Sequence, residues 1–437
     1  MPKKRSHGDG GLYFVKSRGL WRGVTDDGFW PDGRRRQRYV YAKTQTEARA
    51  KLNELKKELE QHGAPIDKAT TVESWADKWL REVCEPTMKP AALQGYESAV
   101  NRWIVPTLRR KRVALLKPTD VRAVNRAMFD AGRAPASVRK THAVLSSMLE
   151  AARLDGLIAR NVAKDVEPPS NVAVAENRRG ALSTPDALEV LRTAAMLADG
   201  TRWWIALLAG VRQGERVGAT IDSIDFDNHT FTVQWSLTEA RFRHGCSATH
   251  PCGKKRGGSC PDRKLRVAPD MDYRQLDGRL CLVRPKSGNV RTFPLIPALE
   301  DALRRYLAAA TGPNPHDLIW RNPDGSPITA EQDQEAWRSL LLSAGVITAE
   351  QAKPEKDRKP GTPTTPTTHW ARHTTSTVLM ELGVDPKIIG EIVGHVSERT
   401  TRGYQHVSSS AARAALTQLG AHFQDALGMS EERPDAA

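Results

Sequence analysis

The sequence predicts an α+β multidomain chain: a small N-terminal three-stranded sheet with one helix, an all-helical second domain, and a mainly α third domain with a small β-sheet. Three observations carry that prediction. At 437 residues the chain is too long for one compact core and needs two or three domains. Residues 11–62 open with short aromatic and β-branched runs between turn residues, and helical spacing then continues to about residue 167. A proline pair then breaks the periodicity before a mixed region. The expected boundaries are 1–65, 66–167, a linker at 168–180, 181–427, and a tail at 428–437.

Taken in order, the strand-like runs are LYFVKS, LWRGVTD and RRRQRYVYA, separated by Gly, Asp and Pro. A helix follows from a capping-box pattern, Thr44 to Glu47, and keeps helical spacing to Gly63. Lys and Arg outnumber Asp and Glu by 15 to 8 in residues 1–65, with Arg34, Arg35, Arg36 and Arg38 crowded together. Such a sheet could lay a strand face in a DNA groove, or be an ordinary α+β cap. A second capping box, Thr70 to Glu73, precedes the apolar stripe Val72, Trp75, Ala76, Trp79, Leu80 and Val83, which predicts a buried helix face. ALQGYESAVNRWIV, KPTDVRAVNRAMFDAG and PASVRKTHAVLSSMLEAARLDG add further helices. Among them Arg109, Arg110, Lys111 and Arg112, and then Arg139 with Lys140, could hold phosphates or form solvated surface. EPPSNVAVAENRRG has linker composition. Beyond it, DALEVLRTAAML and RWWIALLAG read as helices, TIDSIDFDNHTFTVQW as strands, and residues 352–368 as a loop before the last helices.

The formal net charge of +15, a pI near 9.7 and a mean hydropathy of −0.52 point to a polyanionic partner, nucleic acid first, and no apolar run approaches membrane-spanning length. MPKKRSHGDGG lacks the apolar stretch of a secretory signal, so a reducing cytoplasm is expected. The odd number of cysteines, five, argues against a disulfide framework.

Four separated segments concentrate chemistry. In LLAGVRQGE, Arg212 follows a helix that ends at Gly210, so its guanidinium is held at a turn. RPKSGNVRTFPL reads as a β-hairpin with Lys286 at the tip of its first strand. In THWARH, His369 and Arg372 project from one side of a helix start. GHVSERTTRGYQHV places His395 nine residues before Tyr404. A phenol has a free pKa of about 10, so one that attacks at neutral pH needs cations and proton acceptors around it.

Together these segments resemble the tyrosine recombinase family, the phage-type integrases. That family combines an Arg in a G-x-R-x-G-E-like context, a Lys on a β-hairpin, H-x-x-R, a His or Trp after Gly, and a nucleophilic Tyr. Here they stand in order as GVRQGE, RPKSG, HWAR, GHVS and RGYQHV. The first and second domains look like arm-binding and core-binding modules. HWARH departs from the pattern, with Trp370 and Ala371 where a polar residue and leucine are frequent.

The resemblance implies a site-specific DNA recombinase that integrates or excises a phage or mobile element through a 3′-phosphotyrosyl intermediate. Arg212 and Arg372 would clamp the phosphate with planar forks, Lys286 would protonate the leaving oxygen, and His369 would take the Tyr404 proton. His395 would hydrogen-bond a phosphate oxygen, while His373 and His406 are left to support or packing. No cofactor is required. The implied partners are double-stranded attachment-site DNA, a homotetramer on that DNA and an accessory directionality factor. A chromosome-resolving recombinase shares the catalytic pattern but usually lacks the arm module, a type IB topoisomerase shares the chemistry, and a non-catalytic DNA-binding regulator could keep the fold.

The insertion RFRHGCSATHPCGKKRGGSCPDRK holds one feature outside that pattern. Cys246, Cys252 and Cys260 with His250, or alternatively His244, could form a tetrahedral structural zinc site; the other reading is a disordered basic loop with free thiols.

Overall fold

Three antiparallel strands, β1 (Gly11–Val15), β2 (Leu20–Phe29) and β3 (Arg35–Ala42), open the fold, and α1 (Gln45–His62) packs on one of their faces. The computed structural model describes residues 11–29, 35–62, 69–169, 180–246, 251–284, 290–394 and 409–423. Thr44 caps α1 through a 3.2 Å bond from the Glu47 N–H, as the sequence pattern predicts. Strand parity sorts the side chains. Ala42 is buried on the α1 side with Leu52, and Arg38 and Val40 share its parity. Tyr13, Arg22, Tyr39 and Tyr41 share the other parity, with the Arg22 guanidinium 3.7 Å from the centre of the Tyr39 ring.

The helical body runs through α2 (Val72–Trp79), α3 (Pro90–Ala99), α4 (Val105–Leu108), α5 (Pro118–Asp130) and α6 (Pro135–Leu154). Its stripe buries Val72, Trp75, Ala76, Trp79 and Leu80 as the spacing predicts, and the Trp75 indole donates to the Met148 carbonyl at 3.0 Å. Two details differ from the sequence reading. The N-cap is Thr71, bonded from Ser74, and not Thr70; Glu73 is instead 2.8 Å from Arg109. Val83 is exposed and Cys84 buried, because a wide turn with Glu85 N–H bonding Leu80 C=O rotates the stripe by one residue.

The chain divides into two compact units, residues 1–173 and 174–437. The second begins with α7 (Thr184–Ala195), α8 (Thr201–Leu208) and α9 (Gln213–Val217). Strands β4 (Ile224–Asp225), β5 (Thr230–Val233) and β11 (Arg291–Pro294) form one sheet, in the order β11-β5-β4. A second has the order β6-β10-β9, from β6 (Ser236–Glu239), β9 (Tyr273–Asp277) and β10 (Leu280–Val283). Between β6 and β9 lies the two-stranded pair β7 (Phe242–Arg243) and β8 (Lys264–Leu265). Helices α10 (Pro297–Ala309), α11 (Ala330–Ser343), α12 (Ala349–Ala352), α13 (Thr368–Glu381), α14 (Pro386–Val393) and α15 (Ser409–His422) complete it, around a core including Trp203, Trp337, Phe231 and Phe293. Among the described residues no helix is long and apolar enough to cross a membrane.

The strands on either side of the Lys286 segment find other partners than each other. Val283 pairs with Ser236 and Arg291 with Val233, so β10 and β11 both lie along the run that contains β5 and β6. Lys286 itself, with residues 285–289, lies outside the described residues, and among the described residues β10 and β11 do not pair with each other.

Candidate active site

Arg212 stands at the N-cap of α9, where Glu215 accepts its backbone N–H at 3.1 Å and its guanidinium at 2.7 Å. Arg291 on β11 donates to the other Glu215 oxygen at 2.8 Å. Arg372, in the second turn of α13, is 1% exposed and donates to the Gly210 carbonyl at 2.7 Å. That carbonyl is delivered by a residue that must be glycine: φ is +60°, and a Cβ there would lie 2.8 Å from Val393. Gly394 plays the matching part at the end of α14, with φ +68° and its carbonyl accepting from Arg212 at 2.8 Å. Buried Thr375 ties α13 to α8 by donating to the Leu207 carbonyl at 2.7 Å.

Arg212 and Arg291 thus bond one carboxylate and Arg372 feels its charge, leaving an excess of two positive charges. Arg212 keeps 32% of its side chain exposed, so the excess opens to solvent where an anion can reach it. Burial works to raise the Glu215 pKa, but Arg291 and Arg212 outweigh it and hold the carboxyl down to about 2. Burial first, then the neighbouring Arg212 and Arg291, pull Arg372 down to about 9, which still leaves it cationic at neutral pH. His369, exposed on α13 with its ring 4.7 Å from that of His373, has its pKa lowered by partial desolvation and then by His373, Arg372 and Arg212. A lowered imidazole is neutral at pH 7 and can accept a proton.

Behind the site lies a network that sequence reasoning missed. Arg216, fully buried, bonds Asp333 at 2.6 Å, and Asp333 also accepts from Gln213 at 2.9 Å. Trp203 has Arg216 4.8 Å and Arg202 4.4 Å from its ring centre. These contacts fix α9 and so the position of Arg212. Arg291 and Glu215 were visible as residues of RPKSGNVRTFPL and GVRQGE, but their pairing crosses 76 residues and has no local signal. Trp370, the departure from the family pattern, packs half-buried against the core.

Of the residues expected at the site, Arg212, His369 and Arg372 come together; Lys286, His395 and Tyr404 lie outside the described residues. The ligand atoms of His244, Cys246, Cys252 and Cys260 lie within 4.8 Å of one another, while His250 lies outside the described residues. Among the expected DNA-binding cations, Arg34 and the side chains of Arg35 and Arg36 lie outside them too. Arg109, Arg110, Lys111, Arg112, Arg139 and Lys140 are all exposed, with Arg109 paired to Glu73 and Lys111 to Asp120.

Known proteins share this architecture. Residues 265–411 match the phage integrase family and residues 71–128 the phage integrase N-terminal SAM-like domain. An integrase of Saccharopolyspora erythraea is 26% identical, with 97% of this chain and 99% of that protein covered. A XerC-like tyrosine recombinase of Caldanaerobacter subterraneus is 23% identical over 90% of this chain and 93% of its own. The fold is similar to that of the Tn1549 transposon integrase in complex with transposon right end DNA (TM-score 0.56, 19% identity, covering 80% of this chain and 100% of that one). It is also similar to a lambda integrase dimer bound to a core site (TM-score 0.51, 14% identity, 93% and 99% covered). With the arginine clamp and the ordered motifs, these matches make the chain a member of the tyrosine recombinase family, a site-specific recombinase that breaks and rejoins DNA strands.

Proposed function

We propose that the protein integrates or excises a phage or other mobile element by two rounds of strand exchange in a homotetramer on attachment-site DNA. The observation that carries this is the cluster of Arg212, Arg291 and Arg372 around the single carboxylate of Glu215, which leaves two positive charges for a scissile phosphate. The Tyr404 oxygen attacks phosphorus, His369 takes its proton, and the 5′ oxygen leaves with a proton from Lys286. Charge that develops on the phosphate oxygens falls to Arg212, Arg372 and His395. The bond energy stays in the 3′-phosphotyrosyl link, so the step needs no nucleotide cofactor. Gly394 supports the assignment of the nucleophile, because its carbonyl holds Arg212 ten residues before Tyr404 in the chain.

In this reading residues 1–65 bind arm-type DNA, 66–167 bind the core site, and 181–427 carry the chemistry, in the cytoplasm and with an accessory directionality factor. Lambda integrase, which has this fold, forms a tetramer on a Holliday junction, and the Tn1549 integrase binds a circular-intermediate DNA. The open sheet face of Tyr13, Arg22, Tyr39 and Tyr41 suits the arm role better than Arg38, whose parity directs it to α1. The test is Tyr404→Phe on a nicked suicide substrate. DNA binding should persist and the covalent adduct vanish; an adduct retained by this variant moves the nucleophile elsewhere.

A further inference from the structure

The described residues of the insertion between β7 and β8 form no core of their own. Its stem is the pairing of Phe242 with Leu265 and Arg243 with Lys264, and a small apolar cluster of Ala240, Leu265, Val267, Cys281 and Val283 lies at the base. Among the described residues from 244 to 263, only Cys260 is buried. A segment of this length with no apolar interior does not hold one conformation by packing, and small units of this kind are usually held by a disulfide or a metal. Cys246, Cys252 and Cys260 form no disulfide, which leaves the metal.

The spacing of the four candidate ligands fits one ion. A tetrahedral centre with about 2.3 Å to sulfur and about 2.05 Å to nitrogen puts neighbouring S and N atoms about 3.6 Å apart. The His244 Nδ1 lies 3.8 Å from the Cys246 sulfur and 3.4 Å from that of Cys252, on either side of that value. All four ligand atoms fall within 4.8 Å of one another. The backbone is arranged to receive thiolates. Gly253, with φ +66°, turns the chain so that the Lys254 N–H reaches the Cys252 sulfur. The N–H groups of Gly245 and Cys246 reach the sulfur of Cys260. Such N–H donors neutralise part of the charge on a metal-bound sulfur.

Charge balance agrees. Three thiolates, a neutral imidazole and a divalent ion sum to one negative charge, and Lys254, Lys255 and Arg256 follow Cys252 almost directly, all exposed. We infer that His244, Cys246, Cys252 and Cys260 bind a single Zn²⁺ in a closed, structural, tetrahedral site, and that this ion folds the basic insertion. Four protein ligands leave no open position, so the ion takes no part in strand cleavage. The Cys281 thiol belongs to the apolar base, where burial pushes it up to about 11, and Cys84 lies in the helical body; neither is a ligand.

Full-length protein purified without chelator should carry about one zinc per chain by elemental analysis. After exchange, Co²⁺ should give the visible d–d bands of a tetrahedral thiolate site. Cys252→Ser and His244→Ala should reduce the bound metal to a small fraction, whereas His250→Ala and Cys84→Ser should leave it unchanged. Because a ligand variant can simply misfold, trypsin cleavage at Lys254, Lys255 and Arg256 in the wild-type chain gives a separate readout: chelation should accelerate it, and added zinc should restore protection. Metal-free protein with no tetrahedral cobalt spectrum overturns the site. Undiminished metal in Cys252→Ser does the same, and loss in His250→Ala with retention in His244→Ala overturns the ligand set.

Discussion

The run Arg109, Arg110, Lys111 and Arg112 and the scattered trio Arg212, Arg291 and Arg372 are cations in opposite settings. The run is contiguous and exposed, and its two described ion pairs, made by cations open to solvent, contribute little. The trio comes from three elements and is drawn around one carboxylate that is 3% exposed. Sequence composition weights the first group heavily and the second hardly at all. Physical chemistry reverses the ranking for catalysis, because a desolvated, preorganised guanidinium stabilises developing charge far more than one in water. Exposed cations supply affinity through counterion release, and buried ones supply rate.

The largest effect should come from cutting into the trio. Arg212→Ala and Arg372→Ala are each expected to slow strand cleavage at least about a hundredfold, the size of losing one transition-state donor, with little change in DNA affinity. Single-turnover cleavage of a suicide substrate measures it. Rates within a few-fold of wild type would remove the phosphate-clamp assignment and with it the contrast between the two groups.

A smaller effect sharpens the account of the carboxylate. The folded-state pKa of Glu215 is about 2, below its ordinary 4.5, so its stabilising contribution is complete above about pH 4.5 and is lost as pH falls toward 2. The difference corresponds to something on the order of 3 kcal/mol at neutral pH. Glu215→Gln should therefore lower the denaturant midpoint at pH 7, and the gap from wild type should close as acid protonates the native carboxyl. A gap that stays constant from pH 7 to pH 2 would mean that Glu215 acts by shape and not by charge.

The legible parts of this molecule are those with local causes. Helix starts at Thr44, the apolar stripe from Val72 to Leu80, and Arg212 at a turn after Gly210 all follow from residues within a few positions of one another. The misses have non-local causes or depend on one extra residue. Val83 and Cys84 exchanged places because a single wide turn shifted the helical phase. A Ser-Gly-Asn turn signal suggested that the strands flanking Lys286 pair with each other, whereas β10 and β11 take β6 and β5, some fifty residues earlier, as partners. Glu215 with Arg291, and Arg216 with Asp333, are side-chain pairings across the fold, which periodicity does not encode.

The smallest expected effect tests the exposed end of the comparison. Arg110 and Arg112 are exposed, and within the cluster the described carboxylate pairs belong to Arg109 and Lys111. If both touch DNA phosphates, each contact releases about 0.9 of a counterion, so Arg110→Ala with Arg112→Ala should flatten the log–log dependence of affinity on salt by close to 2. The loss should be the same for core-site and unrelated DNA, because phosphate contacts carry no sequence information. Cleavage of already bound substrate should proceed at the wild-type rate, since neither residue lies in the unit at 174–437 that holds Arg212, Arg291 and Arg372. A salt slope unchanged by the double substitution would make these two cations solvated surface, while a fall in the rate of bound substrate would erase the division of labour between exposed and buried arginines.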